Sequence, residues 1–202
     1  MVRPVARERH ASQTMEVIEQ LLQALVDDDR NELTELPPRH DPPPAFTALG
    51  HEIAAAFPAL AQVRYPMVLQ ALYAHPLPFL DCGLVRFVAS PSDAPLRELR
   101  ELVFNGWEPE LIAGQGLLAI ADEGNDGGPL CLDTRVGGPP EAWPVMFWDH
   151  DWEQVTTRPF SSAERMLACT IHLLRGGKVA ELAAIDPQGS AATEYAFFDF
   201  DE

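Results

Sequence analysis

The chain has 202 residues, of which 47% are apolar and 22% are charged, a balance typical of a soluble globular protein. Its 31 acidic and 14 basic residues give a net charge of -17, which disfavours binding to nucleic acid or to anionic membranes and favours a basic partner. No apolar run is long enough for a membrane helix, and the N-terminus lacks the apolar segment of a secretory signal. We therefore expect a cytoplasmic protein.

The N-terminal region is predicted to contain one helix. Residues 1–14 have no apolar periodicity and are predicted to be a mobile tail. From Met15 to about Val26, apolar residues recur at helical spacing, which predicts an amphipathic helix. The prolines that follow interrupt helix and strand alike and stiffen the chain. They are Pro37, Pro38, Pro42, Pro43 and Pro44.

This proline-rich connector predicts a boundary in the chain. Residues 1–44 are expected to form a tail, helix and connector, and residues 45–202 are expected to form the main domain. If the N-terminal helical arm is peripheral, removal of residues 1–36 should leave a folded domain.

Three helices and one strand are predicted before the middle of the chain. Apolar residues at three- and four-residue intervals predict helices over 45–56 and about 65–74. The apolar run 84–89 stops at a Ser-Pro-Ser turn and predicts a strand. Asp93 is predicted to cap a short helix that ends at Asn105 and the glycine after it.

Three short apolar runs in the middle of the chain predict neighbouring strands of an antiparallel meander, because each is bounded by Gly, Pro, Asn or Asp. These runs are 117–121, 130–132 and 145–148. A weaker fourth strand is predicted over 153–157. Ser161 and Glu164 form a capping-box pattern, which predicts the start of a helix. A helix-like run over 179–185 and an alternating run over 195–200, typical of an edge strand, complete the chain.

These elements together predict an α+β fold. It consists of a mostly antiparallel sheet of five or six strands, with helices packed on one face and the N-terminal helical arm added to it. Three widely spaced cysteines lack the CxxC pairs of zinc or redox sites and are predicted to be reduced core residues. They are Cys82, Cys131 and Cys169.

A calcium site in the meander is considered and not predicted. Asp122, Asp126 and Asp133 fall at positions 1, 5 and 12 of a calcium-loop template. Position 3 is Gly124, which has no side-chain oxygen, and position 12 is an aspartate where the template needs a bidentate glutamate. A solvated acidic turn is the favoured interpretation, and no metal is expected.

Asp149, His150 and Asp151 form a second acidic motif, which is typical of a metal site or of a general base held by a carboxylate. Neighbours in a strand alternate faces, so His150 is expected to point away from both aspartates. An acidic rim at a strand end is therefore favoured over catalysis. The sequence also lacks the common nucleotide-binding, hydrolase and zinc-protease motifs, so neither enzymatic activity nor a cofactor is expected.

The order of these segments also resembles a known family. The sequence runs from Leu-Leu-Ala-Ile-Ala-Asp through a small polar turn to Pro-Leu-Cys-Leu-Asp. A Gly-Pro-rich loop, Pro-Val-Met-Phe-Trp-Asp-His-Asp and Phe160 before a helix follow. This arrangement resembles the SUKH superfamily, which contains fungal Knr-type cell-wall assembly regulators and many bacterial immunity proteins. The similarity is clearest over 117–174, extends towards Tyr65, and omits residues 1–44 and the C-terminal segment. It implies a SUKH-like fold without catalytic residues.

The resemblance and the acidity together predict a non-catalytic protein-binding domain. The resemblance implies an immunity protein that neutralises a toxin domain, and the charge favours a basic toxin. Residues 117–152 contain seven acidic residues and one basic residue, beside tryptophans of the kind found at interface centres. The candidate partner-binding residues are Asp122, Glu123, Asp126, Trp143, Asp149, Asp151 and Trp152.

Two other classes of function remain open. A Knr-type regulator or scaffold would bind an adaptor in place of a toxin. An unrecognised hydrolase would need carboxylates that converge with His150 in a pocket. The sequence does not determine the oligomeric state, for which a monomer is slightly favoured.

Overall fold

An antiparallel meander organises the molecule. The computed structural model describes residues 4–28, 33, 35–37, 45–124 and 127–196, with side chains described from residue 12. In this part of the chain one six-stranded sheet forms, in which the strands lie side by side in sequence order. They are β1 (Leu80–Asp81), β2 (Val85–Phe87), β3 (Leu117–Glu123), β4 (Pro129–Asp133), β5 (Val145–Asp149) and β6 (Gln154–Phe160). The predicted α+β fold is therefore confirmed, and β1 is a strand that the sequence did not predict.

The helices lie in the sequence before β1, between β2 and β3, and after β6. They are α1 (Pro4–Val26), α2 (Ala45–Ala56), α3 (Met67–Leu72), α4 (Arg97–Asn105), α5 (Pro109–Gly114), α6 (Ala163–Leu174), α7 (Leu182–Ile185) and α8 (Ala191–Glu194). Helix α2 has the predicted bounds, whereas α5 was not predicted because it is too short to show a period. Among the described helices, none combines the length and the apolar character needed to cross a lipid bilayer.

The N-terminal helix starts earlier than predicted and belongs to the core. It begins at Pro4, where proline is well accommodated in a first helical turn, so the predicted tail of 14 residues is wrong. Ile18, Leu21 and Leu25 are fully buried where α1 packs against α3 and α6. The arm is therefore docked on the core, and the condition under which residues 1–36 could be removed is not met. The boundary at residue 44 stays a prediction, since most of the connector lies outside the described residues.

The centre of the sheet is covered on both faces. Every residue of β4 is buried, and so is every residue of β3 except Asp122. The continuous apolar runs of the sequence follow from this double burial, because a strand with one solvated face would alternate. Leu118 and Leu132 are cross-strand partners and are fully buried. Phe147 is only partly buried, because the pairing of β5 with β6 is irregular on both sides of it.

Two helix starts differ from the predicted caps. Ser162, not Ser161, caps α6, and its hydroxyl oxygen accepts a hydrogen bond from the backbone N–H of Arg165 at 3.2 Å. Asp93 lies before α4 without capping it, since the residue preceding that helix is Leu96 in the left-handed region. The three cysteines are buried and form no disulfide bond, as predicted.

The C-terminal segment folds as short helical turns. The predicted helical run 179–185 is a 3₁₀ turn, Val179–Glu181, followed by α7. Of the predicted edge strand 195–200, Tyr195 and Ala196 continue the turn after α8, and residues 197–200 lie outside the described part of the chain.

Candidate functional site

The turn between β5 and β6 has a fixed conformation that exposes a tryptophan. A carboxylate oxygen of Asp149 accepts hydrogen bonds from the backbone N–H groups of Asp151 at 2.9 Å and Trp152 at 3.2 Å, which closes an Asx turn. Glu153 has a φ of 50°, in the left-handed region that non-glycine residues rarely adopt. The indole of Trp152 is consequently held in solvent, with the residue 70% exposed.

A second tryptophan connects this turn to the helices. The indole nitrogen of Trp107, between α4 and α5, donates a hydrogen bond to a carboxylate oxygen of Asp122 at 3.3 Å. Its ring lies against the ring of His150, with 4.7 Å between the centroids. Trp107 was not predicted to be functional, because no pattern in the sequence indicates a contact with a residue so distant in the chain.

His150 connects the two strand-end turns. Its Nδ1 lies 2.7 Å from the carbonyl oxygen of Gly127, which can only accept, so Nδ1 carries the proton. Its Nε2 lies 3.3 Å from a carboxylate oxygen of Asp151. The prediction that His150 points away from both aspartates is therefore wrong for Asp151, because β5 ends at Asp149 and the alternation ends with it.

We give the name hairpin surface to the exposed Asp151 and Trp152 together with the half-buried Asp122, Asp149 and His150, with Trp107 behind them. Backbone strain flanks both of its tryptophans, since Glu108 and Glu153 have positive φ angles. Such strain persists only where the surrounding structure enforces it, and it is often found at binding sites. The hairpin surface is thus a preformed feature, acidic at its rim and aromatic at its tip.

Two of the predicted partner-binding residues are buried, which corrects their predicted role. Glu123 is only 4% exposed. Burial and then the charge of Glu123 raise the pKa of the Tyr195 hydroxyl, so this carboxylate faces the core. Trp143 is 5% exposed, and its indole nitrogen donates to the carbonyl oxygen of Gly137 at 3.2 Å. Asp126 lies outside the described residues. The surface therefore retains Asp122, Asp149, Asp151 and Trp152 of the predicted set.

The last acid of the calcium-loop template, Asp133, is engaged with a neighbouring arginine. The guanidinium of Arg135 forms a bidentate ion pair with the carboxylate of Asp133, with Nε to Oδ1 at 2.7 Å and Nη2 to Oδ2 at 2.8 Å. Burial alone would raise the pKa of Asp133, but the hydrogen bonds from Arg135 outweigh it and lower that pKa. Across the described residues, no group of three or more His, Cys, Asp or Glu side chains is arranged to hold a metal ion.

Comparison of the chain with protein-family models, curated proteins and solved structures gives no match.

Proposed function

We propose that this chain is a non-catalytic protein-binding domain that recognises a basic partner through the hairpin surface. The observation that carries the proposal is the exposed indole of Trp152, placed between Asp151 and Glu153 on a turn that Asp149 closes. Transfer of a large aromatic side chain from water to an apolar surface of a partner is favourable, because it removes apolar area from water. Tryptophan is accordingly among the residues most enriched at interface hot spots.

The geometry of the turn favours tight binding. A preformed turn has already lost the conformational freedom that a flexible loop would lose on association. Asp151, whose side chain is 80% exposed, and its acidic neighbours would attract a basic surface and speed the encounter. We therefore assign the acids to steering and Trp152 to the stability of the complex.

The partner class follows from the family resemblance and the charge. SUKH-like immunity proteins neutralise toxins by occupying them, and a net charge of -17 suits a toxin domain that is itself basic. We accordingly propose that the chain acts in the cytoplasm as such an immunity protein. A Knr-type regulator would use the same surface on an adaptor. A hydrolase is less well supported, because Asp149 accepts hydrogen bonds from backbone N–H groups, and Asp151, whose carboxylate lies 3.3 Å from His150, has a side chain that is 80% exposed and is therefore not enclosed in a pocket.

The test uses the product of the neighbouring reading frame, since immunity and toxin genes are adjacent. Association and dissociation rates are measured for the native chain and for Trp152→Ala. Loss of the Trp152 indole, which the proposed complex would bury, should speed dissociation by about tenfold or more. This factor corresponds to at least about 1.4 kcal/mol of binding free energy.

The matched control is Phe79→Ala, because Phe79 is another exposed aromatic residue, at 54%, outside the hairpin surface. This variant should keep native rates. Equal dissociation rates for the two variants would assign binding to another surface. A neighbouring product that does not bind at all would refute the immunity role.

A further inference from the structure

A second surface of the molecule is an open groove of about 1170 Å³. One wall is α2 with the segment that follows it, and the other is the loop 134–140. The floor is made of buried apolar side chains that include Phe46, Tyr65 and Trp143. The rim residues Gln62, Arg64 and Gly138 are exposed, so the groove is accessible from solvent along its length.

The charge of the groove is opposite to that of the whole chain. Among the described residues that line it there is no aspartate or glutamate, whereas Arg64 and His51 are present. Two acidic residues that are sequence neighbours of lining residues bind groups other than Arg64. Glu52 pairs with Arg100 at 2.9 Å, and Glu141 accepts a hydrogen bond from the backbone N–H of Met67 at 3.3 Å.

Arg64 offers an unused guanidinium, and the loop wall offers an unobstructed stretch of backbone. Arg64 makes no hydrogen bond or ion pair with any residue that the structure describes. Gly137 and Gly138 have φ angles of 72° and 76°, and a Cβ at either position would meet no atom within 4 Å. At these two positions the wall has no side chain, so an extended peptide can approach its backbone closely.

We propose that the groove binds an extended segment of a partner protein and that a carboxylate of this segment pairs with Arg64. A guanidinium recognises a carboxylate with two parallel hydrogen bonds. The groove is larger than the roughly 300–1,000 Å³ typical of small-molecule pockets and lacks their enclosure, which favours a peptide. The buried aromatic floor supplies apolar contact for its side chains. This site is separate from the hairpin surface and does not depend on the function proposed for it.

The test selects binders from a phage-displayed library of random short peptides, using the full chain as bait. Selected peptides are labelled with fluorescein and measured by fluorescence anisotropy. We expect them to share an aspartate, a glutamate or a free C-terminal carboxylate. Arg64→Glu should weaken their binding by about tenfold or more, because it replaces an attraction with a repulsion.

Two further variants separate charge from shape. Arg175→Glu is the matched control, since Arg175 is exposed and does not line the groove, and it should leave peptide affinity unchanged. Ala61→Trp fills the groove from its exposed rim without changing charge, and it should also weaken binding. Trp152→Ala should have no effect. In NMR spectra, the amide signals of Gly137 and Gly138 should shift when peptide is added.

Several outcomes would overturn the proposal. A library that yields no binder would exclude a peptide as the occupant. Peptides without a shared carboxylate, or with equal affinity for Arg64→Glu and the native chain, would exclude the ion pair. Binding that is lost in Trp152→Ala but kept in Ala61→Trp would move the peptide site to the hairpin surface.

Discussion

Replacing Leu21 by alanine should destabilise the protein strongly, because α1 is docked on the core. Leu21 is fully buried and shares its helix face with Ile18 and Leu25. Removing a buried leucine side chain loses its transfer free energy and leaves a cavity, at a cost of about 2 to 5 kcal/mol. Glu19 is exposed on the same helix, so Glu19→Ala should change the free energy of unfolding by only about 0.5 kcal/mol or less.

The same reasoning predicts the effect of removing the whole helix. Four large apolar side chains of α1 are almost completely buried, namely Ile18, Leu21, Leu22 and Leu25. At about 1.5–3 kcal/mol each, their burial contributes roughly 6–12 kcal/mol. A domain of this kind has a total stability of about 5–15 kcal/mol. Deletion of residues 1–36 should therefore leave an unfolded or molten chain, because the arm is docked on the core and is not peripheral.

Urea denaturation followed by tryptophan fluorescence and by circular dichroism measures both effects. The midpoint for Leu21→Ala should fall well below that of Glu19→Ala, with a similar slope in urea if only stability has changed. Equal midpoints for the two variants, or a cooperative transition in the 1–36 deletion at the native midpoint, would show that α1 does not dock in solution.

Three further predictions concern the core and its ionisable groups. In urea denaturation, Leu132→Ala should lower the free energy of unfolding by about 2–5 kcal/mol, and Phe147→Ala should lower it less, because Phe147 is only partly buried. A larger loss for Phe147→Ala than for Leu132→Ala would contradict the β5 register. Arg135→Ala removes the ion pair with Asp133 and should lower the free energy of unfolding by up to about 1 kcal/mol at neutral pH. Because the folded-state pKa of Asp133 is depressed, this contribution is present above the unfolded pKa of about 4 and disappears as pH falls through the folded value. A stability difference between Arg135→Ala and the native chain that does not change with pH would show that the difference does not come from the Asp133 ion pair. Burial raises the pKa of Cys169 to about 12, so its thiol should react with a disulfide reagent at pH 8 only after denaturation, and fast labelling of the native chain would contradict its burial.

The sequence predicts those elements whose cause is local. Helix α2 has its predicted bounds because its apolar residues repeat at helical spacing and Pro58 follows it. The strands β3 to β5 were predicted because they are continuous apolar runs between turn residues. Helix α5 was missed because six residues are too few to show a period, although Pro109 begins it.

Side-chain roles at the candidate site depend on distant contacts and were predicted less well. Glu123 has the sequence context of a rim acid, but pairing with β2 and packing near Tyr195 place it inside. Trp143 was proposed as an anchor for the partner, but it is only 5% exposed, and its indole nitrogen donates to the carbonyl oxygen of Gly137. Trp107 had no distinguishing pattern, because its partners Asp122 and His150 lie far along the chain.

The two proposed surfaces are related through β5. Trp143, in the floor of the groove, comes just before this strand, and Asp149, which closes the hairpin turn, ends it. A strand rises about 3.3 Å per residue, so the five residues of β5 alone separate the two ends by roughly 13 Å. Interactions more than about 7–10 Å apart usually contribute additively. The two surfaces also differ in charge, and they have no side chain in common. If both proposals hold, we therefore expect the binding of an acidic peptide segment in the groove and of a basic domain at the hairpin surface to contribute independently to the free energy.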